Sequence, residues 1–542
     1  MTDRDVLKYG KEGKFMQMKG KLWKSALCVA LVGMMILPTG CKKETGQDSS
    51  YYLDYEYYEE ETDAEKESDN TSDKNESTGD KEKTSSTATE KDIKKNQGTN
   101  GNSTVETVDV KGYKYTIYSP WLPTDKSGIT TEFEKVLFAR IEEVEKALGC
   151  KITIVRPDSC TKDSLQPLIM AGKKVGDIIE PLSCNVLSLA SSNYIVPWNG
   201  TGIDVNSPNY IARWTELNTY NGKTYGIQFQ KPTDIRTCII FNKTLLKKCG
   251  VDADGIYDLV SNKQWTFEKF REYVTMATKY NGNEAVSYGL GGTPIKLAMG
   301  FVAANGGATA SLVQNKVVST MDTDHVKYAL NYLNGLIHND KAYNIAEKIS
   351  DGTHYLNYDT DGYYQKLFKS GKVAFWIDEG WVLEQQVKGK VNFDYGLVPL
   401  PIGPNAGNRY ISCANNSRVL CITSTNFRSK DFKKSMTVFN ELSKPPKGYT
   451  GDDWWQYDVK MNCFQSQSAE KDLAMYLLIH QASTPDIGYG TMALRTDFIT
   501  KVIYDGLMNG KTTTGAAIDS IKTTHNKTLD SMYNSSNNPV FN

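Results

Sequence analysis

The chain has 542 residues and a formal net charge of −1 at pH 7. Because the part after residue 107 contains no basic block, nucleic acid is not expected as a partner. No apolar run in that part approaches the roughly 18 residues that a membrane-spanning helix needs. The same part has about 430 residues, which is more than a single core usually holds, and this predicts two lobes.

A short apolar stretch near the N-terminus predicts an export signal. Residues 26–38 are mostly apolar, Lys residues precede them, and two small residues separate them from Cys41. This order is typical of a secretory signal peptide, and the run is too short to span a bilayer. The Cys resembles that of the lipobox of bacterial lipoproteins, although Pro38 stands where Leu is usual. We expect residues 1–40 to be a lipoprotein signal peptide and Cys41 to carry lipid at the outer face of the cell membrane. The alternative is an ordinary signal peptide with an incidental Cys.

Residues 41–107 are predicted to form a disordered acidic and polar tether. They are rich in Glu, Asp, Lys, Ser, Thr and Asn, and such a composition cannot bury enough apolar surface to offset chain entropy. A flexible chain of about 65 residues spans roughly 45 Å, so the folded part could stand away from the membrane. The Tyr-rich stretch 51–58 is either a patch for a partner or a drift in composition.

Strand and helix patterns alternate along the folded part. Residues 113–118 alternate as a strand does, and apolar residues then recur at helical spacing up to Leu148. This alternation predicts a mostly parallel sheet that helices cover on both faces. The other predicted strands are 151–155, 177–179, 238–241 and 373–377, and residues 395–399 lead into a connection rich in Pro and Gly. The other predicted helices are 163–170, 267–277, 326–337, 432–442, 473–479 and 518–532.

Short motifs in a fixed order resemble those of the extracellular solute-binding proteins of ABC importers, the sugar-type family that includes maltose-binding proteins. Gln228 departs from the family pattern, which has Pro there, and Trp265 and Thr266 exchange the usual order. The resemblance covers about residues 113 to 440. The motifs are Asn193–Trp198, Asn221–Ile227, Phe241–Gly250, Gln264–Phe270, Phe368–Phe375 followed by Gly380 and Trp381, and Tyr395–Pro401 followed by Gly403 and Pro404.

The resemblance implies an α/β, two-lobed periplasmic-binding-protein-like (type II) fold with a hinge and an interlobe cleft. Closure of the lobes by a few hinge residues would bury a ligand between them. The hinge candidates are 230–234 and 399–403. The implied organisation is a first lobe of residues 108–234 plus 402–445, a second lobe of residues 235–401, and C-terminal helices from 446–542 that pack on the lobes or the hinge.

Ligand-binding residues are expected in loops that follow the carboxyl ends of strands. Trp381 matches the family position whose aromatic face stacks on sugar, and Trp121 either faces the cleft or packs within its own loop. Asp378 and Glu379 either bind the ligand or form a solvated turn, and Trp455 either offers a further platform or packs a late helix. The full set of candidates is Trp121, Ser183, Asn185, Gln228, Gln230, Asp234, Asp378, Glu379, Trp381 and Asn415.

Aromatic rings with amides and carboxylates suit a neutral polyhydroxylated ligand. The Arg residues are scattered along the sequence, which disfavours a phosphate site. The five His residues include no close pair, so neither a metal nor another cofactor is expected. Eight Cys residues follow Cys41 without a C-x-x-C pair; they resemble small buried hydrophobes, although Cys150 with Cys160, or Cys413 with Cys421, could pair.

The function expected from these observations is capture of a sugar or oligosaccharide by a monomeric lipid-anchored protein, which delivers it to the permease subunits of an ABC importer. No hydrolase or phosphate-binding motif occurs, so no enzymatic activity is expected. Two alternatives remain. One is a sensor that reports to a membrane receptor; the other is a secreted glycosidase, which would need two carboxylates about 5–10 Å apart. Peptides and polyols also remain open as ligands.

Overall fold

The structure is a computed structural model that describes residues 103–230, 235–346, 359, 362–415, 417–448 and 454–541. The predicted signal peptide, Cys41 and the tether up to residue 102 lie outside the described residues, as does Asp234. Within the described part of the chain, no helix is both long and apolar enough to cross a membrane. All eight cysteines of the described residues are free thiols.

The first lobe is built on a three-stranded parallel sheet. Its central strand, Lys114–Tyr118, pairs with Lys151–Val155 on one side and with Ile178–Ile179 on the other. Alternate side chains of the longer strands are buried, and Tyr115 and Ile117 lie in the core. This sheet confirms the three strands that the sequence predicts for the lobe.

The first long helix, Glu132–Leu148, has ends that the local sequence determines. The Thr131 side chain accepts a hydrogen bond from the backbone N–H of Glu134, and the Glu134 carboxylate accepts one from the N–H of Thr131. This reciprocal pair satisfies two N–H groups that the start of a helix would otherwise leave open. Gly149 ends the helix at a φ of 66°, a left-handed conformation that favours glycine.

The second lobe contains a five-stranded sheet in the order Tyr395–Val398, Cys238–Asn242, Val373–Asp378, Glu284–Gly291 and Lys279–Asn281. Of its pairings among the described residues, only Val373–Asp378 with Glu284–Gly291 is parallel. The prediction of a mostly parallel sheet is therefore wrong for this lobe. Two causes are visible: Cys238–Asn242 runs antiparallel to both neighbours, and a hairpin adds the edge strand.

The remaining elements complete the lobes and the C-terminal part. The other α-helices are Lys162–Met170, Ser183–Ser191, Ala212–Leu217, Lys243–Lys248, Ile256–Ser261, Phe267–Ala277, Pro294–Ala304, Asp324–Asn334, Tyr363–Lys369, Ser424–Phe427, Phe432–Leu442, Trp454–Cys463, Ala469–Gln481, Met492–Asp497 and Thr514–Tyr533. The 3-10 turns are Lys126–Gly128 and Gly488–Gly490, and the π-helical segments are Gly335–Asn339, Leu383–Val387 and Phe498–Met508. The short strand pairs are Ile195–Val196 with Ile422–Thr423, Thr219–Tyr220 with Lys223–Thr224, Ala310–Val313 with Lys316–Ser319, and Ser412–Cys413 with Ser483–Thr484.

The chain returns from the second lobe later than the sequence suggests. Ile402 forms a bridge with Thr266, and the Tyr410 hydroxyl donates to the carbonyl oxygen of Val260 at 2.9 Å. Residues 402–410 therefore contact the second lobe, although the sequence analysis assigned them to the first. The strand Ser412–Cys413 follows directly and pairs with the C-terminal part of the chain.

The C-terminal helices contact both lobes. Asp472 is fully buried and accepts hydrogen bonds from the Tyr257 hydroxyl at 2.6 Å and from the Leu397 backbone N–H at 2.8 Å, both in the second lobe. Leu529 and Tyr533 of the last helix lie in a core cluster that also holds first-lobe residues from 160 to 225. The C-terminal part thus contacts both lobes and links them.

Trp265 is central to the second-lobe core, and its removal tests how that core is held. It is fully buried, and its Nε1 donates to the carbonyl oxygen of Pro399 at 3.0 Å. Trp265→Ala would leave a cavity, so the free energy of unfolding is expected to fall by about 3–5 kcal/mol in urea unfolding. Tyr457→Ala removes an exposed ring of a C-terminal helix and should change that free energy by less than about 0.5 kcal/mol. Equal losses in both variants would contradict this role of Trp265.

Candidate functional site

A cavity of about 770 Å³ lies between the lobes. Its size is typical of sites that enclose a small molecule, which hold roughly 300–1,000 Å³. The first lobe contributes Trp121 and Thr131, the second lobe contributes Lys296 and Trp381, and the C-terminal part contributes Tyr489. Because three parts of the chain enclose it, this cleft is the candidate functional site.

Four of the residues singled out from the sequence line this cleft. They are Trp121, Glu379, Trp381 and Asn415. Asp378 does not line it but lies directly beneath, fully buried and ion-paired with the cleft residue Lys296. The turn after strand Val373–Asp378 therefore faces the cleft and is not a solvated surface turn.

Four other candidates, Ser183, Asn185, Gln228 and Gln230, do not line the cleft. The Ser183 hydroxyl donates to Asn218 at 3.1 Å, and Asn185 is buried away from the cavity. Gln228 donates to Glu180 at 3.1 Å and to the backbone carbonyl of Arg418 at 3.0 Å. Gln230 donates to the carbonyl oxygens of Pro208 and Tyr210 and lines a separate cavity of about 40 Å³.

A buried ion pair holds the aromatic ring of Trp381 in place. The Arg236 guanidinium donates to Glu379 Oε2 at 2.8 Å, and Trp381 Nε1 donates to the same oxygen at 2.7 Å. Both charged side chains are nearly inaccessible, at 6% and 10% exposure. Gly380 lies between Glu379 and Trp381 in the sequence. A side chain at this position is excluded, because an added Cβ would collide with Ile235. The result is a rigid indole whose orientation is determined before any ligand arrives.

A second ion pair places a cation in the cleft. Lys296, on the apolar helix Pro294–Ala304, pairs with Asp378. Burial raises the pKa of the Asp378 carboxyl, and the Lys296 charge opposes that shift. Burial also lowers the pKa of Lys296, but the negative charges of Asp378 and Glu379 outweigh it and leave that pKa raised. Lys296 is therefore a cation at neutral pH.

The first-lobe side of the cleft presents hydrogen-bond donors. The Arg418 guanidinium lies over the Trp121 ring, 5.0 Å from its centroid. The Trp121 Nε1–H is enclosed and has no hydrogen-bond partner among the described residues. The Asn415 Oδ1 accepts from the backbone N–H of Asp486 at 2.6 Å, which leaves the amide nitrogen of Asn415 as the group available to a ligand.

Acidic residues gather in another part of the cleft. Glu132 and Glu134 come from the first-lobe helix, Glu384 from the second lobe and Asp458 from a C-terminal helix. Burial raises the pKa of Glu384, and repulsion by the other three carboxylates adds to that shift. Burial likewise raises the pKa of Asp458, with Glu132 as the next cause. Like charges from three parts of the chain therefore meet here.

Sequence reasoning missed several lining residues. Arg236 and Arg418 were recognised only as scattered arginines. They are 182 residues apart in the sequence, so no local pattern indicates that they line the same cleft. Nothing in the pattern of the apolar helix marks Lys296 as a cleft residue. Further missed residues include Asp359, Gln365, Tyr489 and Arg495, together with the acidic residues Glu132, Glu134, Glu384 and Asp458. Among the described residues no group of three or more His, Cys, Asp or Glu could hold a metal ion.

Fold and cleft together define a two-lobed binding protein, and comparison with known families identifies it further. The model of the bacterial extracellular solute-binding proteins matches residues 128–422, more than half of the chain. The chain belongs to this family, as the sequence motifs indicated, and its folded part is extracytoplasmic. A comparison with curated proteins gives no match.

Solved structures agree with this fold. An ABC substrate-binding protein from Listeria monocytogenes in complex with cycloalternan is 14% identical, with a TM-score of 0.53 over 77% of this chain and 98% of that one. The GacH receptor of Streptomyces glaucescens, unliganded and with acarbose, is 18% identical, with a TM-score of 0.51 over 78% and 99%. Maltose-bound MalE3 of T. maritima is 16% identical, with a TM-score of 0.52 over 77% and 99%. At these identities the likeness establishes the fold alone.

The crowded carboxylates predict a pH dependence of stability. An acid with a raised pKa destabilises the folded state as the pH rises above its ordinary value, near 4.5 for Glu384. Glu384→Gln is therefore expected to raise the free energy of unfolding by up to about 1 kcal/mol at pH 7 and to leave it nearly unchanged at pH 4.

Chemical denaturation at both pH values measures the effect. Glu470→Gln serves as the control, because Glu470 is exposed and paired with Lys460, and it should show no gain at pH 7. If Glu384→Gln were no more stable than the wild type at pH 7, repulsion among these carboxylates would be refuted.

Proposed function

We propose that this protein captures a carbohydrate in the interlobe cleft and delivers it to the permease subunits of an ABC importer. The observation that carries the proposal is a cavity of about 770 Å³ with indole rings from both lobes, Trp121 and Trp381, on its walls. Aromatic faces provide large contact area for sugar rings, and neighbouring polar groups orient the hydroxyls. Cycloalternan, acarbose and maltose in the structures of similar fold support this ligand class.

The proposed contacts divide between stacking and hydrogen bonding. Trp381 stacks on a sugar ring, because Glu379 holds its indole nitrogen and leaves the ring face to the ligand. Trp121 stacks or donates from the opposite lobe, and Asn415 and Lys296 donate to hydroxyl oxygens. Asp378 acts through Lys296. Closure about the hinge then buries the solute between the lobes.

The carboxylates near Trp381 favour binding without chemistry. A glycosidase needs one carboxyl as a proton donor and a second as nucleophile or base. Here Glu379 is tied to Arg236 and Trp381, and Asp378 is tied to Lys296. Neither of these two is placed as an open acid or base. Together with the membership of a solute-binding family, this supports our proposal that the protein performs no catalysis.

A thermal-shift and calorimetric screen of residues 103–542 against neutral and charged mono- and oligosaccharides, polyols and short peptides tests the ligand class. Ligand at a hundredfold excess over Kd stabilises the folded state by about 2.7 kcal/mol. We expect a shift with at least one saccharide. Shifts only with peptides would overturn the carbohydrate proposal.

Trp381→Ala should weaken binding of that saccharide by more than about tenfold, because the loss of a stacking ring costs at least 1.4 kcal/mol of binding energy. The melting temperature should stay nearly unchanged, since the ring is only partly buried. Trp381→Phe is the matched variant, because it keeps an aromatic face and loses only the hydrogen bond to Glu379. Unchanged affinity in Trp381→Ala would show that the solute binds elsewhere.

We also propose that lipid on Cys41 holds the protein at the outer face of the cell membrane and that the segment from residue 41 to about 102 acts as its tether. The predicted boundary at 107 moves, because Ser103 and Thr104 already donate to the carbonyl oxygen of Gly202 in the first lobe. Cys41→Ala should release the protein into the medium, since stable attachment needs two acyl chains and the variant would carry none. Fractionation followed by immunoblotting measures the distribution, and Cys150→Ala, a buried Cys of the folded part, is the control. Retention of Cys41→Ala in membranes would overturn the lipid anchor.

A further inference from the structure

We infer that the saccharide taken by this cleft carries a carboxylate, and that Arg495 is its counter-charge. The inference rests on the proposed function and changes the neutral ligand that the sequence suggested into an acidic one. Its starting point is the distribution of charge and of hydrogen-bond donors on the cleft wall.

Arg495 differs from two other cations of the cleft, Arg236 and Lys296, in having no carboxylate partner among the described residues. Arg236 is paired with Glu379 at 2.8 Å, and Lys296 is paired with Asp378. Arg495 lines the same cleft, and no carboxylate of the described residues lies within 4.0 Å of its guanidinium. A half-buried guanidinium without an anion is a natural partner for a ligand carboxylate, which it can bind with two parallel hydrogen bonds.

The position of Arg495 is determined by the fold around it. Its guanidinium lies over the ring of the buried Tyr489, 5.2 Å from the centroid. Tyr489 follows Asp486, whose fully enclosed carboxylate accepts from the backbone N–H groups of Thr309 and Gly488 at 2.6 and 2.9 Å. The loop that carries Tyr489 is therefore fixed to the second-lobe segment at Thr309. The Tyr489 ring in turn positions the Arg495 guanidinium in the cleft.

The cleft that Arg495 lines also holds other hydrogen-bond donors. Asn415 offers its amide nitrogen, since its oxygen already accepts from the backbone N–H of Asp486, and Lys296 adds an ammonium group. A sugar hydroxyl is best served by a donor and an acceptor together, whereas a carboxylate only accepts. Donors in the same cleft as a cation without a counter-charge therefore match a carboxylate better than a hydroxyl.

The carboxylates that gather near Glu384 would orient such a ligand. Glu132, Glu384 and Asp458 also line the cleft and already repel one another. A ligand carboxylate placed among them would add to this repulsion, while the neutral sugar units can donate hydroxyl hydrogens to these oxygens. The acidic unit is thus directed to Arg495 and the neutral units to the carboxylates.

The test compares matched ligands by isothermal titration calorimetry. Oligosaccharides ending in glucuronate, galacturonate or N-acetylneuraminate are each titrated against a neutral oligosaccharide of the same length, and glucose 1-phosphate and glucose 6-phosphate form a separate arm. We expect one acidic saccharide to bind about 10- to 100-fold more tightly than its neutral counterpart, as charge-assisted hydrogen bonds to Arg allow. Its affinity should fall as the salt concentration rises.

Arg495→Gln should reduce the advantage of the acidic ligand to less than threefold, by weakening the acidic ligand much more than the neutral one. Arg495→Lys, which keeps the charge but not the two-pronged geometry, should recover part of the advantage. Arg428→Gln is the matched control, because Arg428 is exposed and outside the cleft. The preference of the wild-type protein tests the inference even if Arg495→Gln does not fold.

The measurements distinguish failure of the acidic-ligand inference from failure of the proposed carbohydrate binding. Neutral saccharides that bind as tightly as acidic ones would overturn the inference and leave the proposed function standing. A preference that survives Arg495→Gln would overturn the role of Arg495, and tighter binding of the sugar phosphates would overturn the carboxylate. If no saccharide of either kind binds, the inference and the proposed function fall together.

Discussion

The ion pair between Arg236 and Glu379 is the interaction on which the cleft depends. Arg236 lies just after the point where the chain enters the second lobe, and Glu379 follows the strand Val373–Asp378. The pair joins these two points beneath the cavity and positions the indole of Trp381 through a shared oxygen. Removing one partner of a buried pair costs about 3–5 kcal/mol, because the other charge stays buried and uncompensated. The same contact therefore contributes to stability and determines the shape of the site.

Around this pair the cleft combines three kinds of surface. Indole rings stand on both lobes, the Arg495 guanidinium lies over the Tyr489 ring, and carboxylates gather near Glu384. Each kind has its own support: Glu379 for Trp381, the Asp486 loop for Tyr489 and Arg495, and the capped helix start for Glu132. A site supported in this way discriminates by orientation, since a solute must satisfy all three surfaces at once.

Much of the fold could be read from local patterns. The alternation in Lys114–Tyr118 and the capping pair Thr131 and Glu134 are local, and the structure shows both. Strand direction in the second lobe was not predictable, because pairing between Cys238–Asn242 and Val373–Asp378 joins segments more than a hundred residues apart. Local propensity predicts that a segment forms a strand, but it does not predict which strand it pairs with or in which direction.

The site was less predictable than the fold, for the same physical reason. Trp381 stands in a family motif and lines the cleft, whereas Gln228 looks like a ligand-binding amide but donates to Glu180 instead. Arg495 lies beyond the segment that matches the family, in a helix with no sequence signal for the cleft. Side chains acquire their roles from partners that folding brings near, and those partners are distant in the sequence.

The hairpin Ala310–Ser319 leads to a consequence for motion. Although it belongs to the second lobe in sequence, Ala310 and Val317 lie in a core cluster with first-lobe residues and with Leu529 of the last helix. Asn534 also accepts from the backbone N–H of Val317 at 2.8 Å. The lobes are thus connected at a place distant in sequence from the two hinge candidates. Any motion that parts the lobes must therefore either break these contacts or carry the hairpin along with the first lobe and the last helix.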